Sequence, residues 1–368
     1  MILDQIRYDK IVYFGTTFLE IHFMNKYFSF ILFILFMNNC SLKEQSTNFQ
    51  RTQEVCTIDA FESMDLLIGN THQFIIKDNY IFIYSPLDTT SHIVIDINKE
   101  IATQAFCVGQ GPGEILNPST RVDLICNKNK KNVEVYDMAS NKIVSYNLDS
   151  IFSGKCSTYN SSFILEESKK IEQKPIYVQR LNDSLFIAQG FYTDAIFRIY
   201  NINNKKSEAQ IASLYNKELS IDDVIDLGNI FALSPNRKYI VRATQMGGII
   251  ECYEIHKDSL IKKFTHQQFI TENYKYPTTR RYGYISACIS NNKIYGLYST
   301  NKIGEKENAF SSKEIHVFDF NGNPLERLLI DTPLCAIEWC EPQKSIYGIS
   351  KIPEIHIVKI EISKNEIL

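Results

Sequence analysis

The sequence predicts an all-β protein, because short strand-like runs fill the chain from about residue 55 onward and turn residues separate them. Segments with apolar residues at the 3.6-residue spacing of a helix are almost absent. A strand-turn-strand-turn-strand unit recurs from near residues 72, 121, 176, 228, 284 and 335. The spacing of about 53 residues is typical of propeller blades with long loops. We therefore predict a six-bladed β-propeller of four-stranded antiparallel blades over residues 55–368.

Thirteen runs are predicted as strands or strand pairs, because each either alternates apolar with polar residues or is continuously apolar. In chain order these runs are 74–84, 92–97, 133–138, 143–148, 185–189, 196–202, 239–244, 249–255, 284–289, 293–299, 314–320, 345–349 and 355–362. Residues that favour tight turns stand between them, as in Lys77-Asp78-Asn79 and Asn321-Gly322-Asn323.

The last unit, residues 335–362, is one strand short of four. The stretch 54–61 can supply the missing strand, so we predict that an N-terminal strand closes the ring and that both termini share one blade. A closed ring buries the flat faces of neighbouring blades against each other and leaves no long free sheet edge.

The amino terminus carries an export signal. Residues 24–40 form a short basic start, an apolar run of 11 residues from Tyr27 to Met37, and Cys40. This run is well short of the roughly 20 residues of a membrane-spanning helix, so a cleaved signal peptide over 24–39 is favoured over an uncleaved anchor. Because such a signal stands at the start of a chain, residues 1–23 are interpreted as a mis-called upstream start.

Met37-Asn38-Asn39-Cys40 resembles the lipobox of bacterial lipoproteins, in which the cysteine is lipidated and becomes the first mature residue. Asn38 and Asn39 replace the usual small residues, a looseness associated with lipoproteins of Bacteroidetes-type bacteria. The alternative is an ordinary signal peptide cut near Asn39. The polar residues 40–54 are predicted as a flexible tether. The resemblance implies an outer membrane lipoprotein, held to the membrane by its lipid anchor on the periplasmic or cell-surface face.

Composition and cysteine spacing exclude several functions. The net charge of −3 is spread along the chain without a basic block, so no nucleic acid partner is expected. Cys-x-x-Cys pairs are absent and the histidines do not cluster, so we expect no metal and no cofactor. The eight cysteines besides Cys40 are predicted to be mostly reduced and buried, with Cys107, Cys126, Cys252 and Cys288 inside apolar strand-like runs.

Three stretches resemble the six-bladed TolB-like β-propeller lipoproteins of Bacteroidales. They are Gly109-Gln110-Gly111-Pro112-Gly113-Glu114, Tyr282-Gly283-Tyr284 before 293–299, and the hairpin 315–324. The turn 234–239 is also similar to the Ser-Pro-Asp-Gly-Lys turn of TolB-type blades, from which Asn236 and Arg237 depart. The resemblance spans roughly residues 55–362 and implies a propeller fold and an envelope location. It brings no catalytic residues.

Two loop segments supply the candidate ligand-binding residues. Gln110 and Glu114 can contact a ligand if the glycine-rich loop faces the central channel, although a tight loop between blades explains its glycines equally. Arg281, Tyr282 and Tyr284 combine a guanidinium group with phenols, which suits carboxylates, sugars or peptide ends. The alternative for the Arg280-Arg281 pair is a set of salt bridges to neighbouring blades.

The sequence contains no Gly-x-Ser-x-Gly, His-Glu-x-x-His or calcium-loop pattern. We therefore predict a non-catalytic binding or interaction module of the cell envelope, which binds an envelope protein or a glycan through its loops and channel mouth. The alternative is a hydrolase or lyase of glycans or peptides with a site assembled from several blades. A purely structural scaffold is a third interpretation.

Overall fold

The computed structural model describes residues 47–362, with gaps at 65, 70, 72, 88, 128–129, 155–158, 166–173, 193–194, 204–205, 211–228, 269–280, 300 and 305–309. The chain divides into a unit Met1–Glu44 and a unit Gln45–Leu368, and the described residues belong to the second unit. The predicted mis-called start, the signal peptide 24–39 and Cys40 lie outside the described residues.

The described residues form 24 strands and one short helix, and 16 of the strands build four sheets of four consecutive antiparallel strands. Sheet 1 contains β3 (Phe74–Lys77), β4 (Tyr80–Tyr84), β5 (Thr90–Asp96) and β6 (Ile101–Cys107). Sheet 2 contains β7 (Pro118–Asn127), β8 (Lys130–Asp137), β9 (Lys142–Asn147) and β10 (Tyr159–Ile164). Sheet 3 contains β11 (Pro175–Arg180), β12 (Leu185–Gly190), β13 (Phe197–Asn201) and β14 (Lys206–Gln210). Sheet 4 contains β15 (Asn229–Leu233), β16 (Tyr239–Thr244), β17 (Ile249–His256) and β18 (Ser259–Gln267).

Sheet 5 has eight strands and also includes two strands from the amino-terminal side. Its strands are β19 (Tyr284–Ile289), β20 (Ile294–Tyr298), β21 (Ser312–Phe318), β22 (Pro324–Cys340), β23 (Ser345–Ser350), β24 (His356–Glu361), β1 (Arg51–Val55) and β2 (Ile58–Ala60). The long β22 pairs with β21 along Pro324–Leu329 and with β23 along Leu334–Cys340. We call β19, β20, β21 and the start of β22 half 5a, and the end of β22, β23, β24 and β2 half 5b.

The amino-terminal strands attach to both halves. Strand β2 pairs antiparallel with β24, so a strand within the predicted stretch 54–61 does join the last unit of the chain. Strand β1 pairs in parallel with the start of β22. The segment 40–54, expected to be a flexible tether, therefore includes Arg51–Glu54 in a paired strand. Backbone hydrogen bonds to β22 fix this end of the segment.

Strand β4 illustrates why continuous apolar runs form these strands. Successive side chains of a strand point to opposite faces. Ile81 and Ile83 pack in a cluster with half 5b, whereas Phe82 between them packs in a cluster with sheet 2. All three side chains are completely buried. A strand covered on both faces needs apolar residues at every position, which explains the run Tyr-Ile-Phe-Ile-Tyr.

The described core consists of six hydrophobic clusters, and each cluster lies between two groups of strands. Representative pairs are Phe82 and Val122 for sheets 1 and 2, Tyr136 and Phe186 for sheets 2 and 3, Phe197 and Phe231 for sheets 3 and 4, Val241 and Phe318 for sheet 4 and half 5a, Leu297 and Ile346 for halves 5a and 5b, and Ile81 and Tyr347 for half 5b and sheet 1. Sheet 1 therefore packs against both sheet 2 and half 5b.

Three of the described cysteines differ from the prediction of reduced, buried thiols, and one of them, Cys56, is an exposed free thiol. Cys107, at the end of the outer strand β6, is disulfide-bonded. Cys126, near the end of β7, is an exposed free thiol, because this end of the strand reaches the rim of a cavity. Cys252 and Cys288 are buried free thiols, as predicted.

A short helix occupies a position that was predicted to end a strand. Helix α1 (Leu148–Phe152) begins directly after β9, and the side chain of Asn147 caps it by accepting a 3.0 Å hydrogen bond from the backbone N–H of Ser150. In the part of the chain that the structure describes, no helix has the length and apolar character to span a membrane.

Candidate functional site

Two cavities lie where the first strands of the sheets converge. The larger has a volume of about 340 Å³ and the smaller about 90 Å³. Both are lined by residues of β3, β7, β11, β15, β19 and the end of β22. Arg121 on β7 and Glu338 on β22 line both cavities. A concave site with converging polar groups, built by six separate segments, is the candidate functional site.

Arg121 and Glu338 form an ion pair between the two cavities, with Arg121 Nη1 at 3.4 Å from Glu338 Oε1. Glu338 is only 8% exposed, and this burial raises the pKa of its carboxyl to about 7, although the positive charges of Arg121 and Lys77 act in the opposite direction. The guanidinium group of Arg121 also lies over the rings of Tyr177 and Phe231, at 5.9 and 5.4 Å from their centroids. The pair is therefore held in place by both ionic and aromatic contacts.

Asp123 on β7 is the centre of a second group of charges beside the larger cavity. Its carboxylate is almost completely buried and accepts hydrogen bonds from both terminal nitrogens of Arg237, at 3.0 and 3.2 Å. It also accepts from the backbone N–H groups of Arg180 and Leu124, at 2.8 and 2.9 Å. These four donors satisfy the carboxylate and connect sheets 2, 3 and 4.

Arg237 reaches Asp123 from a strained turn. Its φ of +57° lies in the left-handed region, which costs a residue with a side chain about 1–2 kcal/mol. Ser234 Oγ stabilises the turn by accepting hydrogen bonds from the backbone N–H groups of Lys238 and Tyr239, at 3.1 and 2.9 Å. Arg237 occupies the position where the Ser-Pro-Asp-Gly-Lys pattern has glycine. This departure was the signal in the sequence that could have indicated the site.

Lys77 and Gln179 both line the larger cavity and have few or no partners, although Gln179 is buried and the side chain of Lys77 is only 17% exposed. Among the described residues, Lys77 Nζ has one ionic contact, Asp123 Oδ1 at 3.9 Å, which is too long for a hydrogen bond. Burial lowers the pKa of Lys77, and the nearby Asp123 opposes this shift. Gln179 is 1% exposed, and neither atom of its side-chain amide has a hydrogen-bond partner in the described part of the chain.

The glycine-rich loop, which carries the predicted ligand-binding residues Gln110 and Glu114, is closed by an internal hydrogen bond. The Glu114 carboxylate accepts a 2.7 Å hydrogen bond from the backbone N–H of Gly111. A side chain at Gly109 would collide with this carboxylate, because an added Cβ would lie 2.1 Å from Glu114 Oε2. Gln110 is exposed on the same loop. Neither Gln110 nor Glu114 lines the two cavities.

The second predicted group is divided between the surface and the core. Arg281 is exposed, and Tyr282 is half-buried with its ring edge-on to Phe310 at 5.4 Å. Tyr284 is completely buried, and its hydroxyl group contacts Gln268 Nε2 at 3.2 Å and His316 Nδ1 at 3.1 Å. Tyr284 therefore belongs to an internal hydrogen-bond network, and none of the three predicted residues lines the cavities.

Across the described ranges, no group of three or more His, Cys, Asp or Glu side chains is arranged to hold a metal ion. The polar side chains of the site include cations, carboxylates and the Gln179 amide, which can recognise a ligand through ionic and hydrogen bonds.

Comparisons with known proteins identify the fold. The model of the TolB-like 6-blade propeller-like family matches residues 99–339. A solved luciferin-regenerating enzyme has 9% sequence identity and a TM-score of 0.51, over 84% of this chain and 96% of its own. An exported protein of Bacteroides fragilis has 13% identity and a TM-score of 0.50, over 85% of this chain and 99% of its own. No curated protein matches the chain. At these identities the two structures support the fold alone.

Proposed function

Because the chain belongs to the TolB-like 6-blade propeller-like family, we propose that its strands form a closed ring of six four-stranded blades. Sheets 1 to 4 supply four blades, and sheet 5 divides within β22 into halves 5a and 5b, which supply two more. The six hydrophobic clusters, each between two groups of strands, support closure. In this arrangement β2 is the N-terminal strand that completes the last blade.

The function that the geometry supports best is that of a non-catalytic binding module that takes a small polar ligand into the larger cavity at the channel mouth. The observation that carries this proposal is Gln179, whose amide is buried at the cavity without a hydrogen-bond partner among the described residues. Buried polar groups are nearly always satisfied, so an amide left unpaired at a cavity is expected to bind something that enters it.

The binding role is tested by thermal denaturation of the protein against a broad library of small acids, amides, sugars and short peptides. A ligand of the cavity at free concentration c stabilises the folded state by RT ln(1 + c/Kd), since it binds the folded state alone, and so raises the Tm as its concentration rises above its Kd. We expect a subset of the library to do so, and no compound to be consumed. Turnover of a glycan or peptide during the incubation would instead favour the hydrolase or lyase alternative. A library without any effect on Tm would refute the binding role.

The module is proposed to be a cell-envelope lipoprotein of the outer membrane, anchored through Cys40 after removal of residues 24–39. The sequence pattern of residues 24–40 supports this location, and so does the likeness to an exported protein. Metabolic labelling with a radioactive fatty acid tests the anchor. We expect the wild-type protein to incorporate label and sediment with membranes, whereas Cys40→Ser does neither. Equal labelling of the two proteins would contradict the anchor.

A further inference from the structure

Resting on the proposed binding role, we propose that the ligand of the larger cavity is a small carboxylic acid that also carries an amide. Its carboxylate is held by Lys77 and Arg121, and its amide is held by Gln179. This chemistry occurs in N-acylated amino acids and at the carboxyl end of a peptide.

The partners of the charges, rather than their number, favour an anion. Three cations (Lys77, Arg121 and Arg237) and three carboxylates (Asp78, Glu338 and Glu341) line the cavity. Asp78 accepts from Lys131 at 2.8 Å, Glu341 accepts from Asn291 and Trp339 at 2.8 and 2.5 Å, and Arg237 donates to the neighbouring Asp123 at 3.0 Å. Lys77 and Arg121 are left with contacts of 3.9 Å to Asp123 and 3.4 Å to Glu338. Charge-assisted hydrogen bonds are usually about 2.7–2.9 Å long. A ligand carboxylate can supply the short bonds that the protein does not.

The pKa of Lys77 supports the same conclusion. Burial lowers it, and the positive charges of Arg237 and Arg121 lower it further, against the attraction of Asp123 and Glu338. A negative ligand would offset the mutual repulsion of these cations and keep Lys77 charged.

The Gln179 amide selects among anions. It offers one acceptor, Oε1, and one donor group, Nε2, and both lack partners in the described chain. A simple dicarboxylate, ionised at neutral pH, can accept from Nε2 but has no hydrogen to donate to Oε1. A ligand amide provides a donor and an acceptor together, so it pairs with both atoms of Gln179.

The size of the cavity limits the ligand. A volume of about 340 Å³ equals about eleven water molecules at about 30 Å³ each. Leu124 and Trp339 also line the cavity and provide an apolar surface for a short alkyl group. An N-acylated amino acid with a small side chain fits this volume, and N-acetyl-L-alanine is therefore the probe of choice.

Isothermal titration calorimetry of the intact protein tests the inference with three probes. N-acetyl-L-alanine carries both groups, its methylamide lacks the carboxylate, and succinate lacks the amide. We expect the acid to bind and the other two to bind at least tenfold more weakly. A hexapeptide that ends in alanine distinguishes the source: binding as tight as that of N-acetyl-L-alanine indicates a peptide end, and at least tenfold weaker binding indicates a small free acid.

Variants locate the bound acid. Lys77→Met and Gln179→Leu are each expected to weaken binding of N-acetyl-L-alanine at least tenfold. Gln189→Leu is the matched control, because Gln189 is also buried with an unpartnered amide but does not line either cavity. Gln110→Leu, which removes an exposed amide from the glycine-rich loop, is expected to leave binding unchanged.

The outcomes separate this inference from the proposed function. Tight binding of the methylamide, unchanged affinity in both Lys77→Met and Gln179→Leu, or loss of binding in Gln110→Leu would overturn the inference while a binding role stands. The same holds if other library compounds bind and N-acetyl-L-alanine does not. If neither these probes nor the library bind, the proposed function falls as well.

Discussion

Replacing Gln179 by leucine should stabilise the ligand-free protein. The side chain is 1% exposed and neither amide atom has a partner in the described structure. Burying an amide without hydrogen bonds costs about 1–3 kcal/mol, whereas a change of shape at similar volume costs less than about 1.5 kcal/mol. We therefore expect Gln179→Leu to gain about 1 kcal/mol, which raises the Tm by about 2–4 °C.

Calorimetric or fluorescence melting with and without saturating N-acetyl-L-alanine measures both consequences of the substitution. Gln189→Leu is the control: it should also be stabilised without ligand, because Gln189 is 4% exposed and equally unpartnered, yet it should keep the full shift on ligand addition. Gln179→Leu should lose that shift. A destabilisation of Gln179→Leu by more than about 1 kcal/mol would refute the reasoning, because it would mean that the amide is already satisfied.

Two further substitutions test the charges around the cavity. Burial raises the pKa of the Glu338 carboxyl to about 7. The unfolded chain therefore loses this proton at lower pH than the folded protein does. The free energy of unfolding falls as the pH rises from about 4.5 to about 7, by about 3 kcal/mol in total. Glu338→Gln should flatten the dependence of urea unfolding on pH in this window, and an unchanged slope would contradict the assignment. Arg237→Gly should relieve the strain at φ +57° but leave the buried Asp123 without its guanidinium partner, for a net loss of about 2 kcal/mol in urea unfolding. A neutral or stabilised variant would show that the pair contributes little.

The strands that pack on both faces could be predicted from the sequence. The runs 239–244 and 284–289 coincide with β16 and β19, and the predicted unit starts lie within a few residues of the first strands of the sheets. Ile240, Val241 and Ala243 show the reason: all three are almost completely buried, and Arg242 between them is also buried and pairs with Glu251 at 2.8 Å. A strand that is buried on both faces consists mostly of consecutive apolar residues, and such a run can be recognised in the sequence.

The first and fourth strands of the sheets have weaker hydrophobic patterns in the sequence, and several of them were not predicted. Strand β18 contains the partly exposed Lys262 and Lys263, because only one of its edges pairs with a neighbouring strand. Strands β7 and β11 contain Asp123 and Gln179, because these strands line the cavities. A strand at the edge of a sheet or beside a cavity does not need an apolar residue at every inward position. The hydrophobic pattern of the sequence therefore does not reveal these strands.

The site was harder to predict than the fold. Lys77, Arg121, Gln179 and Glu338 stand far apart in the sequence on four different strands, and each resembles an ordinary polar residue in its own segment. Only the packing of the sheets brings them to one cavity. The predicted site residues came from loop motifs, whose residues are adjacent in the sequence. In the structure, Glu114 accepts a hydrogen bond within its own loop and Tyr284 lies in the core.

A crystal structure of the protein grown with N-acetyl-L-alanine tests the central claim most directly. The account predicts the acid in the larger cavity, with its carboxylate within hydrogen-bond distance of Lys77 Nζ and Arg121 and its amide paired with both atoms of Gln179. A cavity that contains only ordered water bonded to Gln179, with the acid absent or bound at the glycine-rich loop, would contradict it.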